Sequence, residues 1–333
     1  MMKLYHFPQK HLLIVVPITL IFSFIAGLYV DTSLLRPTIL IATILMIFAT
    51  MVGLRIQELT KLKNETKMIG ASFLINFIMI PLIAFFIGMI FFSNEPLMFA
   101  GLALVALLPT SGMTISWTGI QKGNVPGAVK LTVFGLVAGS LLTPWYLLVM
   151  VGQYVNINVM TTVQTILMVV FVPLVLGQIT TKLLLKKYSK EHFQKKIKPN
   201  MAPLSIWGLL YVVFVSTSAR AEMIVANLQL ILTALIALII FYLLNYMLVT
   251  FIALKFFNRN DGIALVNGTV LRNLSIAVGI AATAFGGEAA LLVTIAFMLQ
   301  YQSITYYARI AGKRWFKEIT QNNVKPASVQ VQN

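Results

Sequence analysis

Along this chain, long apolar runs alternate with short polar segments. Spanning about 30 Å of hydrocarbon takes about 20 helical residues, because only internally hydrogen-bonded backbone is tolerated there. Ten runs meet that length: residues 11–30, 36–54, 68–92, 97–121, 127–151, 160–183, 204–225, 228–256, 262–285 and 288–310. The pattern predicts an all-α membrane protein with ten transmembrane helices in a single domain over 1–333. Residues 311–333 are read as a cytoplasmic tail, polar and disordered after Lys317. The first run, His11 to Val30, is longer than a signal-peptide core and has no small-residue cleavage site after it, so a retained helix is expected.

Composition sharpens this picture. With 59% hydrophobic and 10% charged residues, a 333-residue chain cannot hide its apolar surface in a water-soluble globule, and lipid must be its solvent. A net charge of +16 would point to nucleic acid in a soluble protein. Here the basic residues lie between apolar runs, so no nucleic-acid partner is expected and the charge is read as orientation in the bilayer. All but three of the 25 Lys and Arg fall at the N-terminus, after the second, fourth, sixth and eighth helices, or in the tail. The exceptions are Arg36 and Arg220 in opposite loops and Arg272 inside the ninth helix. This asymmetry predicts cytoplasmic termini in the cytoplasmic (inner) membrane of a prokaryote. Zero cysteines exclude disulfides and thiolate metal sites, and His6, His11 and His192 are too scattered for a metal cluster, so no cofactor is expected. No nucleophile–base pair or metal constellation sits at a common depth, so the chain is not read as an enzyme.

Internal symmetry locates a candidate site. Gly101-Leu-Ala-Leu-Val105 recurs as Gly262-Ile-Ala-Leu-Val266, close to half a chain length on. An odd number of helices per repeat inverts the second copy, which predicts two inverted five-helix repeats, about 11–151 and 160–310. Beyond each pentapeptide the apolar character fails, at Pro109-Thr110-Ser111-Gly-Met-Thr114-Ile-Ser116 and at Asn267-Gly268-Thr269-Val-Leu-Arg272-Asn273. Proline and glycine favour unwinding in both, although single kinks are common in membrane helices. Paired breaks at equivalent positions point to a binding site, with half-helix N-termini suited to anions and freed carbonyls to cations.

The stretch from Pro109 through Thr114 to Gly123-Asn124 resembles the fourth-helix signature of the bile acid:sodium symporter family. Asn76-Phe-Ile-Met-Ile-Pro81 resembles that family's third-helix motif, and Arg272-Asn273 with the small-residue helix ending at Phe285-Gly286 resembles its ninth-helix motif. The resemblance implies a panel and a core domain, broken helices 4 and 9 crossing in the core, alternating access and two sodium sites behind the crossing. At the implied sodium positions this chain carries Thr114, Ile115, Ala128, Thr132, Asn76, Gly268 and Arg272, with an acid replaced by Gly268 and a glutamine by Arg272. Sodium coupling of the usual kind is therefore not expected.

An arginine at membrane depth costs about 2.5 kcal/mol on insertion scales and must face protein partners. None of the nine acids is an obvious mate, because all map to loops or helix ends, Glu58 and Glu65 among them. Carbonyl ends of the breaks, the amides of Asn273, Asn267 and Asn76, or a bound anion remain. Two readings of Arg272 stay open: a built-in cation that holds the crossing as sodium does in relatives, or a direct contact to an anionic substrate. Lys130 is expected to snorkel to the interface, and Gln300, Gln302 and Ser303 to bond between helices rather than face a cavity. Trp117, Tyr301, Tyr306 and Tyr307 are candidates for the path or for interfacial anchors, and Arg220 with Glu222 for an interfacial pair. The small residues Gly268, Ala277, Gly279, Ala281 and Ala282 are expected to flank a cavity. The function read from these features is transport of a small organic anion, such as a bile-acid-like or other carboxylate. A sodium-coupled symporter, an arsenite-type efflux permease and a channel or receptor stay open as alternatives.

Overall fold

The computed structural model describes residues 2–54, 66–152, 164–219, 221–226 and 228–316. Arg220, Glu58, Glu65 and the tail from residue 317 lie outside them. Among the described residues every regular element is a helix. In chain order these are α1 (Met2–Lys10), α2 (Leu12–Tyr29), α3 (Thr38–Met51), α4 (Thr66–Phe92), α5 (Pro96–Leu107), α6 (Gly112–Ile120) and α7 (Val125–Val151). There follow α8 (Gln164–Lys187), α9 (Lys190–Ser218), α10 (Ala221–Ala226), α11 (Leu228–Phe256), α12 (Arg259–Val270), α13 (Leu274–Ile280) and α14 (Gly287–Arg314).

Seven helical segments are long and apolar enough to cross a bilayer, and an eighth is gained if α5 and α6, bent by 53° at their junction, count as one span. The apolar helices α2 and α3 fall short of that length. The α12–α13 segment continues as one unit from Arg259 to Phe285 despite its break.

Five-residue π turns recur within these helices, at Ile75–Met79, Leu167–Phe171, Phe193–Ile197 and Ala281–Phe285. A proline stands two residues beyond each of the first three: Pro81, Pro173 and Pro199. The cause is local. Proline has no N–H for the carbonyl four residues back and its ring collides with that carbonyl, so the preceding turn opens by one residue. In α4 the carbonyl left without its α-helical donor belongs to Phe77, and the Tyr146 hydroxyl from α7 donates to it instead.

The helices pack in two groups. One gathers α2, α3, α8 and α9; the other gathers α4 to α7 and α11 to α14. They meet along α13 and α14, with α13 against α3 and α9, and α14 against α2 and α9. Close approach at this seam is made by Gly279, whose missing Cβ would fall 2.3 Å from Thr43 Cγ2.

Candidate functional site

The two sequence breaks lie side by side in the second group. Helix α5 ends at Leu107 and α6 begins at Gly112, while α12 ends at Val270 and α13 begins at Leu274. The segments run antiparallel. At one end Arg259 donates to the carbonyls of Lys122 and Gln121 at 3.1 and 3.2 Å. In the middle Asn267 donates to Thr118 Oγ1 at 3.2 Å and accepts from Gln121 Nε2 at 3.3 Å, and Thr114 Oγ1 donates to the Asn267 carbonyl at 3.2 Å. Beyond both breaks the Asn273 N–H donates to the Leu108 carbonyl at 2.8 Å. Backbone groups freed in one break are thus satisfied by the other, as buried backbone requires.

Local chemistry explains each half. Asn273 caps α13 by accepting from the Ile276 N–H, and the Ser111 N–H donates to Thr114 Oγ1 at the start of α6. Thr110 sits at φ 64°, a left-handed conformation that a β-branched residue rarely adopts. It is held there by hydrogen bonds from its hydroxyl to the Pro109 and Thr132 carbonyls at 2.6 and 3.2 Å. Gly135 on α7 makes room for it, since a Cβ there would fall 2.5 Å from Thr110 Oγ1.

Arg272 occupies the α12–α13 break and is 1% exposed. Its Nη1 donates to Asn76 Oδ1 at 2.8 Å, and Asn76 Nδ2 donates to Ser72 Oγ at 3.1 Å and to the Gly268 carbonyl at 3.4 Å. Gly268 lies in the last turn of α12, so the guanidinium sits beside the negative end of a helix dipole. Gln300 on α14 clamps the Arg272 backbone, accepting from its N–H at 2.8 Å and donating to its carbonyl at 3.2 Å, and Tyr242 on α11 donates to Gln300 Oε1 at 3.2 Å. The guanidinium atoms Nε and Nη2 are buried and have no hydrogen-bond partner. Thr269 Oγ1 is buried without one as well.

The structure brings together Arg272, Asn76, Gly268, Asn267, Asn273, Thr110, Thr114 and Thr132. Other candidates fall elsewhere. Ser116 is exposed and its hydroxyl donates back to the Gly112 carbonyl of its own helix. Two residues along a helix from Thr114 is more than half a turn, which puts it on the opposite side. Ile115 and Ala128 bring no side-chain oxygen, and the Thr132 hydroxyl donates to the Ala128 carbonyl at 2.7 Å. Lys130 is 8% exposed, on the part of α7 that packs against α5, α6 and α12.

Most of the small residues pack rather than flank a cavity. Gly268 faces Leu131, Gly279 faces Thr43, and Ala277 and Ala281 are fully buried. Ala282 does line one, an opening of about 480 Å³ between the two helix groups. Gln300 and Ser303 bond between helices, the latter accepting from Tyr246. Tyr307 is buried against Tyr246 and Thr250, Tyr306 is exposed, and Tyr301 and Gln302 line a smaller cavity with Val16 and Pro17. Tyr242 and Asn245, both buried on α11, carried no local signal in an unbroken apolar helix.

Comparison with known proteins identifies relatives of this chain. The chain is 25% identical over 241 residues to "Uncharacterized protein YbaS" of Bacillus subtilis, covering 72% of this chain and 76% of that one. It is 22% identical over 265 residues to the arsenical-resistance protein Acr3 of Corynebacterium glutamicum, covering 76% and 71%. It is 26% identical over 199 residues to sodium/bile acid cotransporter 7 of Mus musculus, covering 56% and 55%. The sequence model of the sodium bile acid symporter family matches residues 40–227, more than half the chain. With the apolar spanning helices and the paired breaks, that match makes the protein an integral membrane transporter belonging to the sodium bile acid symporter family.

Proposed function

We propose that this transporter moves a small organic anion, a carboxylate with an apolar body, by alternating access and without the sodium sites that the family resemblance implies. The observation that carries this reading is the buried Arg272 guanidinium bonded to Asn76 between the two breaks. Sodium wants several hard oxygen ligands, and here Ile115, Ala128 and Gly268 offer none from their side chains while Asn76 Oδ1 is taken by a cation. A monovalent ion about 4 Å from the guanidinium would be repelled by about 4 kcal/mol at an effective dielectric of about 20. Arg272 lines neither of the two cavities described above, which favours the built-in cation over direct substrate contact.

In this reading the membrane is crossed ten times, α2 and α3 included and α5–α6 taken as one span. The spans form two inverted five-helix repeats. Support comes from the matched pentapeptides, which lie in α5 and α12 just ahead of the two breaks, and from the antiparallel run of those segments. The division into two helix groups supports rocking of one against the other. The basic residues orient both termini to the cytoplasm of a prokaryotic cell. Arsenite export is the second reading, favoured by the similarity to Acr3 and opposed by the absence of any cysteine.

The test is uptake by purified protein in liposomes with sodium replaced by choline. Organic-anion uptake of equal rate in both salts supports the proposal. Uptake that requires a sodium gradient, or movement of arsenite alone, overturns it.

A further inference from the structure

We infer that the break between α12 and α13 holds a small inorganic anion of the halide class, chelated by the free edge of the Arg272 guanidinium. This ion supplies the countercharge missing from the reading of Arg272 as a built-in cation, on which the inference rests.

Geometry comes first. Nη1 is committed to Asn76 Oδ1 at 2.8 Å, while Nε and Nη2 are buried and donate to no protein group. These two nitrogens share one edge of the planar guanidinium, with their N–H bonds side by side, and such an edge grips an acceptor with two parallel hydrogen bonds. An unsatisfied donor on a buried charge carries its full desolvation cost, so two of them on one edge mark an acceptor that the chain itself does not supply. Thr269, in the last turn of α12 and three residues before Arg272, adds a second sign. The hydroxyls of Thr118, Thr132 and Thr294 each donate to the carbonyl four residues back. Thr269 Oγ1 is fully buried and makes no such bond, which leaves its proton to give.

Charge decides what the acceptor is. Water would satisfy both donors but leave the positive charge as it stands. Among the described residues no carboxylate comes within ion-pair distance of Arg272. Asp261, the acid of α12 itself, lies at the far end of that helix, where it accepts from Asn124 and Asn258. Asn76 is neutral, and the C-terminal end of α12 offers about half a unit charge. A buried cation so incompletely balanced is costly at membrane depth, and an anion on the free edge completes the balance. Burial decides which anion. Arg272 is 1% exposed and lines neither of the two cavities, so the occupant is a small ion rather than a carboxylate with an apolar body. The case against sodium is unaffected, because the oxygen ligands absent from the side chains of Ile115, Ala128 and Gly268 stay absent.

The test is thermal unfolding of the purified protein in detergent while sodium gluconate is replaced by sodium chloride or sodium bromide at constant ionic strength. A saturable rise of about 3–5 °C in both halides is expected. Arg272→Gln removes the chelating edge and is expected to abolish the rise. Asn76→Asp gives the guanidinium a fixed carboxylate, which repels a second anion, and is expected to weaken the apparent halide affinity by about tenfold or more. It also answers the question if Arg272→Gln fails to fold. A melting temperature equal in gluconate and chloride assigns the two donors to water and overturns the inference. Equal rises in the wild type and in either variant assign the effect to bulk salt and overturn it as well. Melting reads binding and not transport, so a missing anion and a missing organic-anion activity give separate results.

Discussion

Arg272 Nη1 donates to Asn76 Oδ1 at 2.8 Å, tying the α12–α13 break to the π turn of α4 across 196 residues of chain. A hydrogen bond to a buried charge is among the stronger kinds, and removing one partner leaves the other with its full desolvation cost. Asn76→Leu strands both the guanidinium and the Gly268 carbonyl, and is expected to cost about 1–3 kcal/mol. Asn76→Asp instead places a countercharge on the guanidinium and is expected to hold or raise the melting temperature. Thermal unfolding in detergent compares them, and equal melting of wild type and Asn76→Leu would remove Asn76 from the network.

Salt identity gives a second check. A cation site occupied at ten times its Kd would add about 1.4 kcal/mol of stability. The wild-type protein is expected to melt at the same temperature in sodium and choline chloride at equal ionic strength. A sodium-specific rise of several degrees would show a bound cation that Arg272 ought to exclude.

Gly101 and Gly262, equivalent in the matched pentapeptides, are not equivalent in what surrounds them. A Cβ at Gly101 would fall 2.8 Å from the Ala289 carbonyl oxygen, and the backbone of α14 cannot yield without moving the helix. A Cβ at Gly262 would meet the Phe316 ring at 3.1 Å, a side chain beyond the end of α14. Gly101→Ala is expected to destabilise by about 1–3 kcal/mol and Gly262→Ala by less. Expression and melting of the two variants rank them, and the reverse order would contradict the packing.

The one-residue turn from the α13 segment into α14 has Gly286 at φ 94° and ψ −165°, a conformation open only to glycine. Gly286→Ala is expected to cost about 1–3 kcal/mol. Thermal unfolding in detergent measures it, and an unchanged melting temperature would show that the turn is not constrained.

The broken helices were legible because proline, glycine and a buried arginine contradict an apolar run, and such contradictions are local. Asn76 was legible as one of three candidate amides for Arg272, beside Asn273 and Asn267, because few amides occur at that depth. Ser116 was misplaced because a run of hydroxyl residues says nothing about which side of the helix each occupies. The burial of Lys130 was not legible, because its position near a helix start says nothing of the neighbours packed against α7. Tyr242 and the Gln300 clamp on the Arg272 backbone depend on how α11 and α14 are rotated against the break, which no single segment encodes. The cavity that Ala282 lines together with Arg36 is formed by residues from distant parts of the chain. Its lone arginine read only as one of the few basic residues on the side opposite the lysines.

The π turns carry a consequence for how these helices are read and altered. Because a π turn absorbs one extra residue, every later side chain falls about 100° behind its place on an ideal α-helical wheel. In α4, the stripe of residues before Ile75 and the stripe after Met79 therefore belong to different phases, and a single helical wheel drawn through both misassigns half the helix. Deleting one residue within Ile75–Met79 would close the wide turn into an α turn, leaving the length and the mutual orientation of the two halves almost unchanged. Pro81 would then be driven into the carbonyl it now avoids.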